Sequence, residues 1–138
     1  MTDRLTRYPD WRRRLIAYLE SCARRSFQDG EHDCALFLAG GIEAMTGQDY
    51  AAGYRGAYTS LAAGLKLLRK DGFEDHVDLA RRTLPMKPVS MAREGDGAIV
   101  TEMPLPALGI VQGSGVYVLR ETGLGLVPLT AASAALEV

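Results

Sequence analysis

Cysteine and histidine are both scarce in this sequence. Two of the 138 residues are cysteine and two are histidine. Cys22 and Cys34 do not form a CxxC pair, and the histidines show neither HExxH nor another metal-ligand spacing. We therefore expect free thiols rather than a disulfide framework, and no metal or other cofactor.

An excess of one charge and long apolar runs are also lacking. The formal net charge is -1 with 24% charged residues, so the chain has no general basic field of the kind that nucleic-acid or anionic-membrane binding requires. No stretch approaches the roughly 20 apolar residues of a membrane span. Residues 1–10 are polar and show no apolar segment of a secretory signal. We expect a protein made in the cytoplasm without a signal peptide, with proteins or small molecules as partners, no nucleic acid and no membrane.

The length and the hydrophobic content of 47% predict a single domain over residues 1–138. Near Pro85 to Pro88 the pattern changes from helical periodicity to short apolar runs separated by glycine. This order predicts an α+β fold with N-terminal helices packed on a small antiparallel sheet.

Four helices and five strands are predicted from these patterns. The first helix follows Pro9-Asp10, and the second begins at Cys34 after the cap Asp33 and stops at Gly47. The second is apolar almost all round and should be the buried centre of the domain. The other helices are predicted at 60–70 and 74–82, and the strands at 97–100, 108–111, 116–120, 124–127 and, as an edge, 135–138.

Cys34 is the candidate nucleophile. In the first turn of a helix, unpaired N–H groups and the helix dipole stabilise a thiolate. The same N–H groups could receive the oxyanion of an acyl-transfer intermediate. An inert core cysteine is the alternative, since free cysteines are commonly small buried hydrophobic residues.

Several segments resemble a known family. Phe27, Gly30 and the stretch His32-Asp33-Cys34-Ala35-Leu36-Phe37 resemble the opening of the NlpC/P60 cysteine-peptidase domain. Segments 44–50, 54–58, 94–100 and 108–111 are similar to short NlpC/P60-like proteins of tailed phages and gene-transfer-agent-like elements. The resemblance covers most of the chain and implies a papain-like fold with the nucleophile at Cys34.

The sequence departs from this family at the catalytic base. Active peptidases read His-Val-Gly-Ile on the first long strand, where this chain reads Ala107-Leu108-Gly109-Ile110, and no histidine follows His76. Loss of a paired histidine should cost several orders of magnitude in rate. Two candidates remain: His32, two residues before Cys34, where neighbours do not normally face each other, and His76, which we expect to face solvent unless tertiary folding brings it to Cys34.

Two aspartates are interpreted as structural. Asp33 is expected to cap the second helix rather than act as a catalytic acid. Asp96, in a Gly-Asp-Gly turn, is expected to accept hydrogen bonds from nearby backbone N–H groups.

A tyrosine-rich segment is the second candidate site. Tyr50, Tyr54 and Tyr58 recur every four residues with Arg55 between them, so they form a stripe on a helix or an adaptable surface on a loop. Core packing and binding both fit this spacing. Two glycines in the segment favour irregular structure, and we favour a protein partner.

The resemblance and the missing base lead to three hypotheses. The first is a structural or docking component of a phage or phage-like tail tip or baseplate, located in the virion, with a degenerate cysteine-peptidase fold and other tail or baseplate proteins as partners. The alternative is an active cell-wall peptidase or amidase that uses Cys34 on peptidoglycan. A regulatory or transferase-like thiol protein of the host is the third.

Overall fold

The computed structural model describes residues 5–101 and 106–138. In these ranges four helices come first and a six-stranded antiparallel sheet follows, which confirms the predicted α+β order. Residues 1–4, part of the stretch searched for a signal, lie outside the described residues. The helices are α1 Trp11–Cys22, α2 Cys34–Thr46, α3 Leu61–Lys70 and α4 His76–Thr83. The strands are β1 Met86–Lys87, β2 Gly97–Val100, β3 Ala107–Gln112, β4 Gly115–Arg120, β5 Gly123–Pro128 and β6 Ala132–Leu136.

The sheet has the strand order β1-β6-β2-β3-β4-β5. The prediction of an edge strand at 135–138 is wrong, because β6 ends at Leu136 and pairs with β1 on one side and β2 on the other. Strand β1 is the edge. Its two residues are too few to show the alternating pattern by which strands are recognised in a sequence.

Helix α2 is the buried centre of the fold, as predicted. A Cβ atom on Gly40 would overlap the ring of Tyr18 from α1, and one on Gly41 would lie 2.6 Å from Cδ1 of Ile110 on β3. The two glycines therefore let α2 approach a helix on one side and the sheet on the other. The Tyr18 hydroxyl donates to the Phe37 carbonyl at 2.7 Å and fixes the first of these contacts.

Aspartate and serine side chains cap the starts of α2, α3 and α4. Asp33 accepts from the N–H of Leu36 at 3.0 Å, and Asp75 accepts from the N–H of Asp78 at 2.8 Å. Helix α4 therefore starts at His76 and not at the predicted Glu74, because the cap residue itself is outside the helix. No helix in the described ranges is long and apolar enough to cross a membrane.

Asp96 joins distant parts of the chain. Its carboxylate is fully buried and accepts from the N–H of Arg93 at 2.9 Å, as the sequence predicted for a loop aspartate. It also pairs with the guanidinium of Arg7 at 3.4 Å and with Nζ of Lys87 at 2.5 Å, and it accepts from the N–H of Val138 at 3.1 Å. The interpretation as a purely local loop residue is therefore too narrow.

Candidate active site

Cys34 is the first residue of α2 and is partly exposed. The Asp33 carboxylate accepts a hydrogen bond from one N–H group of the first turn, that of Leu36. Within the described part of the chain, the N–H groups of Cys34 and Ala35 donate to no other residue. These two donors and the positive end of the helix lie next to the thiol.

His76 is the first residue of α4, and its ring reaches the side chain of Cys34. Nε2 lies 2.9 Å from the carbonyl oxygen of Pro106. Nδ1 is therefore the ring nitrogen left to interact with Cys34. The expectation that His76 faces solvent is wrong, because the packing of α4 turns the half-buried ring towards the start of α2.

The surroundings of His76 favour its protonated form. Burial lowers its pKa, but the hydrogen-bonding interaction and the charge of Cys34, the carbonyl of Pro106 and the charge of Asp75 outweigh this effect. Together they raise the pKa of His76 to about 9. At neutral pH an imidazolium therefore lies beside the Cys34 side chain.

Tyr58 and the buried Asp33 form a hydrogen-bonded pair in the same pocket as Cys34. The Tyr58 hydroxyl donates a short hydrogen bond to the Asp33 carboxylate, which also accepts from the N–H of Gly30 at 3.1 Å. Burial, this hydrogen bond and the charges of Asp33 and Cys34 raise the pKa of Tyr58, so the phenol stays protonated. A Cβ on Gly64 would lie 3.0 Å from the Tyr58 ring. Glycine at this position of α3 therefore lets the ring approach the site.

The fold keeps the three tyrosines of this segment together and separates Arg55 from them. Residues 50–58 form turns and not a helix, as the two glycines indicated. All three tyrosines line the same pocket as Cys34, and Tyr54 donates to Asp71 at 2.7 Å. Arg55 does not line that pocket and pairs with Asp49 at 3.4 Å.

His32, the other candidate base, has a different environment. Its ring is 2% exposed and packs edge-on against Phe37. Burial is the main reason that its pKa is lowered, and Nε2 finds no partner among the described residues. Because His32 does not line the pocket that holds Cys34, His76 is the better candidate for the base.

Helices α2, α3 and α4 enclose a cleft of about 140 Å³ that contains Cys34 and His76. Most of its lining side chains are aliphatic. A concave, mainly apolar pocket with a few convergent polar groups is typical of a small-molecule or substrate site. The arrangement can bind an acyl compound, present its carbonyl to a thiolate and supply a proton from His76.

Sequence reasoning missed the carbonyl of Pro106 and the role of Asp75. A backbone carbonyl leaves no signal in a residue pattern. The role of Asp75 did leave a signal in the sequence, because Asp75-His76 repeats the pattern of Asp33-Cys34. In both pairs an aspartate cap precedes the first residue of a helix.

The model of one protein family, described as "Domain of unknown function (DUF6950)", matches residues 6–138. No curated protein and no solved structure matches the chain. The chemistry must therefore be argued from the described residues.

Proposed function

The chain belongs to the DUF6950 family, and we propose that it is a thiol-dependent hydrolase of amides or esters, with Cys34 as nucleophile and His76 as general acid and base. The observation that carries the proposal is that both side chains line one pocket and interact, while Nε2 of His76 lies 2.9 Å from the Pro106 carbonyl. A nucleophile, a base and a group that orients the base are the three parts of a catalytic triad.

Each step balances with the groups present. The Cys34 thiolate forms a bond to the carbonyl carbon, and His76 donates its Nδ1 proton to the departing amine or alkoxide as the bond to that group breaks. Water then attacks the thioester while neutral His76 accepts a proton from it. The sulfur–carbon bond breaks, the carboxylic acid leaves, and the thiolate–imidazolium pair is restored.

The backbone supplies the remaining functions. The N–H groups of Cys34 and Ala35, which donate to no other described residue, are suitable donors for the negative oxygen of the tetrahedral intermediate. The Pro106 carbonyl holds the His76 ring in the orientation that leaves Nδ1 towards the thiol. A carbonyl can orient the ring without carrying a full charge.

The position of the His76 ring also supports a papain-like, NlpC/P60-type fold as a proposal. Pro106 directly precedes Ala107, where the resemblance places the histidine of active peptidases. The ring of His76 thus lies at the start of β3 although the residue belongs to α4. In this proposal the catalytic base comes from α4 and not from β3. The nucleophile remains at the first residue of α2.

The docking hypothesis depended on the absence of a base. With His76 beside Cys34 that argument no longer favours a degenerate enzyme. Association with tail or baseplate proteins, and peptidoglycan as the target, are separate proposals that rest on the resemblance alone. Neither is needed for the hydrolase chemistry.

Alkylation of Cys34 by iodoacetamide tests the dyad directly. The rate would be followed from acid pH to above the pKa of His76, and mass spectrometry would separate Cys34 from Cys22, which is 1% exposed. We expect fast labelling at neutral and mildly acid pH that is lost in His76→Gln. Slow labelling that is the same in both proteins would contradict the proposal. Hydrolysis of p-nitrophenyl acetate by the wild type, but not by Cys34→Ala, would then show turnover.

A further inference from the structure

The pocket beside the dyad has aliphatic walls on three sides. The aliphatic side chains of these walls recur about one helical turn apart, so they form continuous stripes along the cleft. They include Leu38 and Ile42 from α2, Leu61 and Leu65 from α3, and Leu79 from α4.

Three hydroxyl groups in this lining already have partners. Tyr58 donates to Asp33, Tyr54 donates to Asp71, and the Thr83 hydroxyl donates to the Leu79 carbonyl. In the part of the chain that the structure describes, no lysine or arginine lines the pocket. His76 is the cation at the Cys34 end of the cleft. A carboxylate at the far end of an acyl chain would lose its hydration without gaining a cation, which is unfavourable. The pocket therefore disfavours anionic acyl groups.

The dimensions of the cleft favour a chain over a bulky group. The lining on α2 runs from Cys34 to Ile42, which is roughly 12 Å at the rise of an α-helix. Its volume is about 140 Å³, close to that of an engineered aliphatic cavity of about 150 Å³ that holds one benzene, or about six carbons. A long and narrow space of this volume suits a linear apolar chain.

We propose that the substrate of the Cys34–His76 site carries a linear apolar acyl chain of about six carbons, which lies between α2, α3 and α4 with its carbonyl at Cys34. This inference rests on the proposed hydrolase function and adds the substrate class to it. The leaving group departs on the solvent side, where Cys34 is partly exposed.

A series of p-nitrophenyl esters tests the chain preference. From acetate through butyrate to hexanoate, kcat/KM should rise about fourfold per added methylene, because each one leaves water for the pocket. The monosuccinate ester, with a charged end, should be hydrolysed more slowly than butyrate. Equal rates across the uncharged series, with Cys34 still reactive towards iodoacetamide, would overturn the chain proposal and leave the hydrolase proposal standing.

A second probe does not require hydrolysis. N-alkylmaleimides form a thioether with Cys34 in one step, and the alkyl group can enter the cleft. Labelling of Cys34 should be faster with the hexyl than with the methyl compound, while a small-molecule thiol shows no such gain. Equal labelling rates across the N-alkylmaleimides would overturn the proposal of an apolar acyl chain. An unreactive Cys34 would overturn both proposals.

Two matched leucine variants test where the acyl chain of the substrate lies. Leu61 lines the pocket and is 47% exposed; Leu126, on β5, is 59% exposed and does not line it. An aspartate at 61 lies in the first turn of α3, where a negative charge is tolerated, so the variant should fold. Leu61→Asp should lower the hexanoate-to-acetate ratio of kcat/KM at least threefold, while Leu126→Asp should leave it unchanged. Equal ratios in the two variants would contradict the proposed location.

Discussion

Cys34 and His76 hold equivalent positions in two helices: each is the first residue after an aspartate cap, Asp33 for α2 and Asp75 for α4. Both helices therefore direct their N-terminal ends towards one cleft. The thiol gains the positive end of its helix, and the imidazole gains the Asp75 charge that helps to keep it protonated.

Replacing the base should greatly reduce the reactivity of the nucleophile. His76→Gln removes the proton donor and acceptor, so hydrolysis of p-nitrophenyl acetate should fall about 10²- to 10⁴-fold. The assay is steady-state kinetics with the Cys34→Ala rate subtracted. The matched control is His32→Gln, which changes the other histidine; it should keep the activity of its folded fraction because His32 does not line the pocket. A larger loss in His32→Gln than in His76→Gln would reverse the assignment.

The ionisation of His76 should depend on Cys34. In the wild type its pKa is about 9, so the ring is cationic below that pH and loses its proton above it. Cys34→Ala removes two of the effects that raise the pKa, whereas the opposing effect of burial stays. The pKa of His76 should therefore fall clearly below 9, as measured by the pH dependence of its imidazole proton signals in NMR. An unchanged value in Cys34→Ala would mean that the two side chains do not interact.

The buried Tyr58–Asp33 pair should stabilise the site. Tyr58→Phe removes a donor from a carboxylate that is 6% exposed, and leaving a buried acceptor with one partner fewer costs about 1–3 kcal/mol of unfolding free energy. Urea denaturation measures this change. Tyr54→Phe, which removes the more exposed bond to Asp71, is the control and should cost clearly less. Similar losses in both variants would refute the special role of the buried pair.

Asp96 should be the most sensitive charged residue outside the site. Asp96→Asn removes the carboxylate that pairs with Arg7 and the nearer of the two that pair with Lys87, whose side chains are 7% and 16% exposed. Removing one partner of a buried ion pair costs about 3–5 kcal/mol. The control is Asp10→Asn, which breaks an exposed pair with Arg14 at 2.7 Å and should not measurably change the denaturation midpoint. If Asp96→Asn were as stable as this control, the network would contribute nothing.

Local chemistry explains how much of the fold could be predicted. An aspartate before an apolar run specifies a helix start, and glycine at Gly47 with φ of 82° ends the same helix. Short apolar runs between turn residues placed β2 to β5 within about one residue of their observed ends. These signals depend on neighbours in the sequence, so no knowledge of the tertiary structure was needed to find them.

The sequence by itself therefore determined the α+β order, the buried α2 and the place of Cys34 at its first turn. Only the tertiary structure decided that His76 meets Cys34 and the Pro106 carbonyl, that Tyr58 points to Asp33, and that β6 lies inside the sheet. The physical reason is the range of the interactions. Caps and turns are formed by residues a few positions apart, whereas the dyad and the apolar cleft exist because three helices that are separate in the sequence pack together.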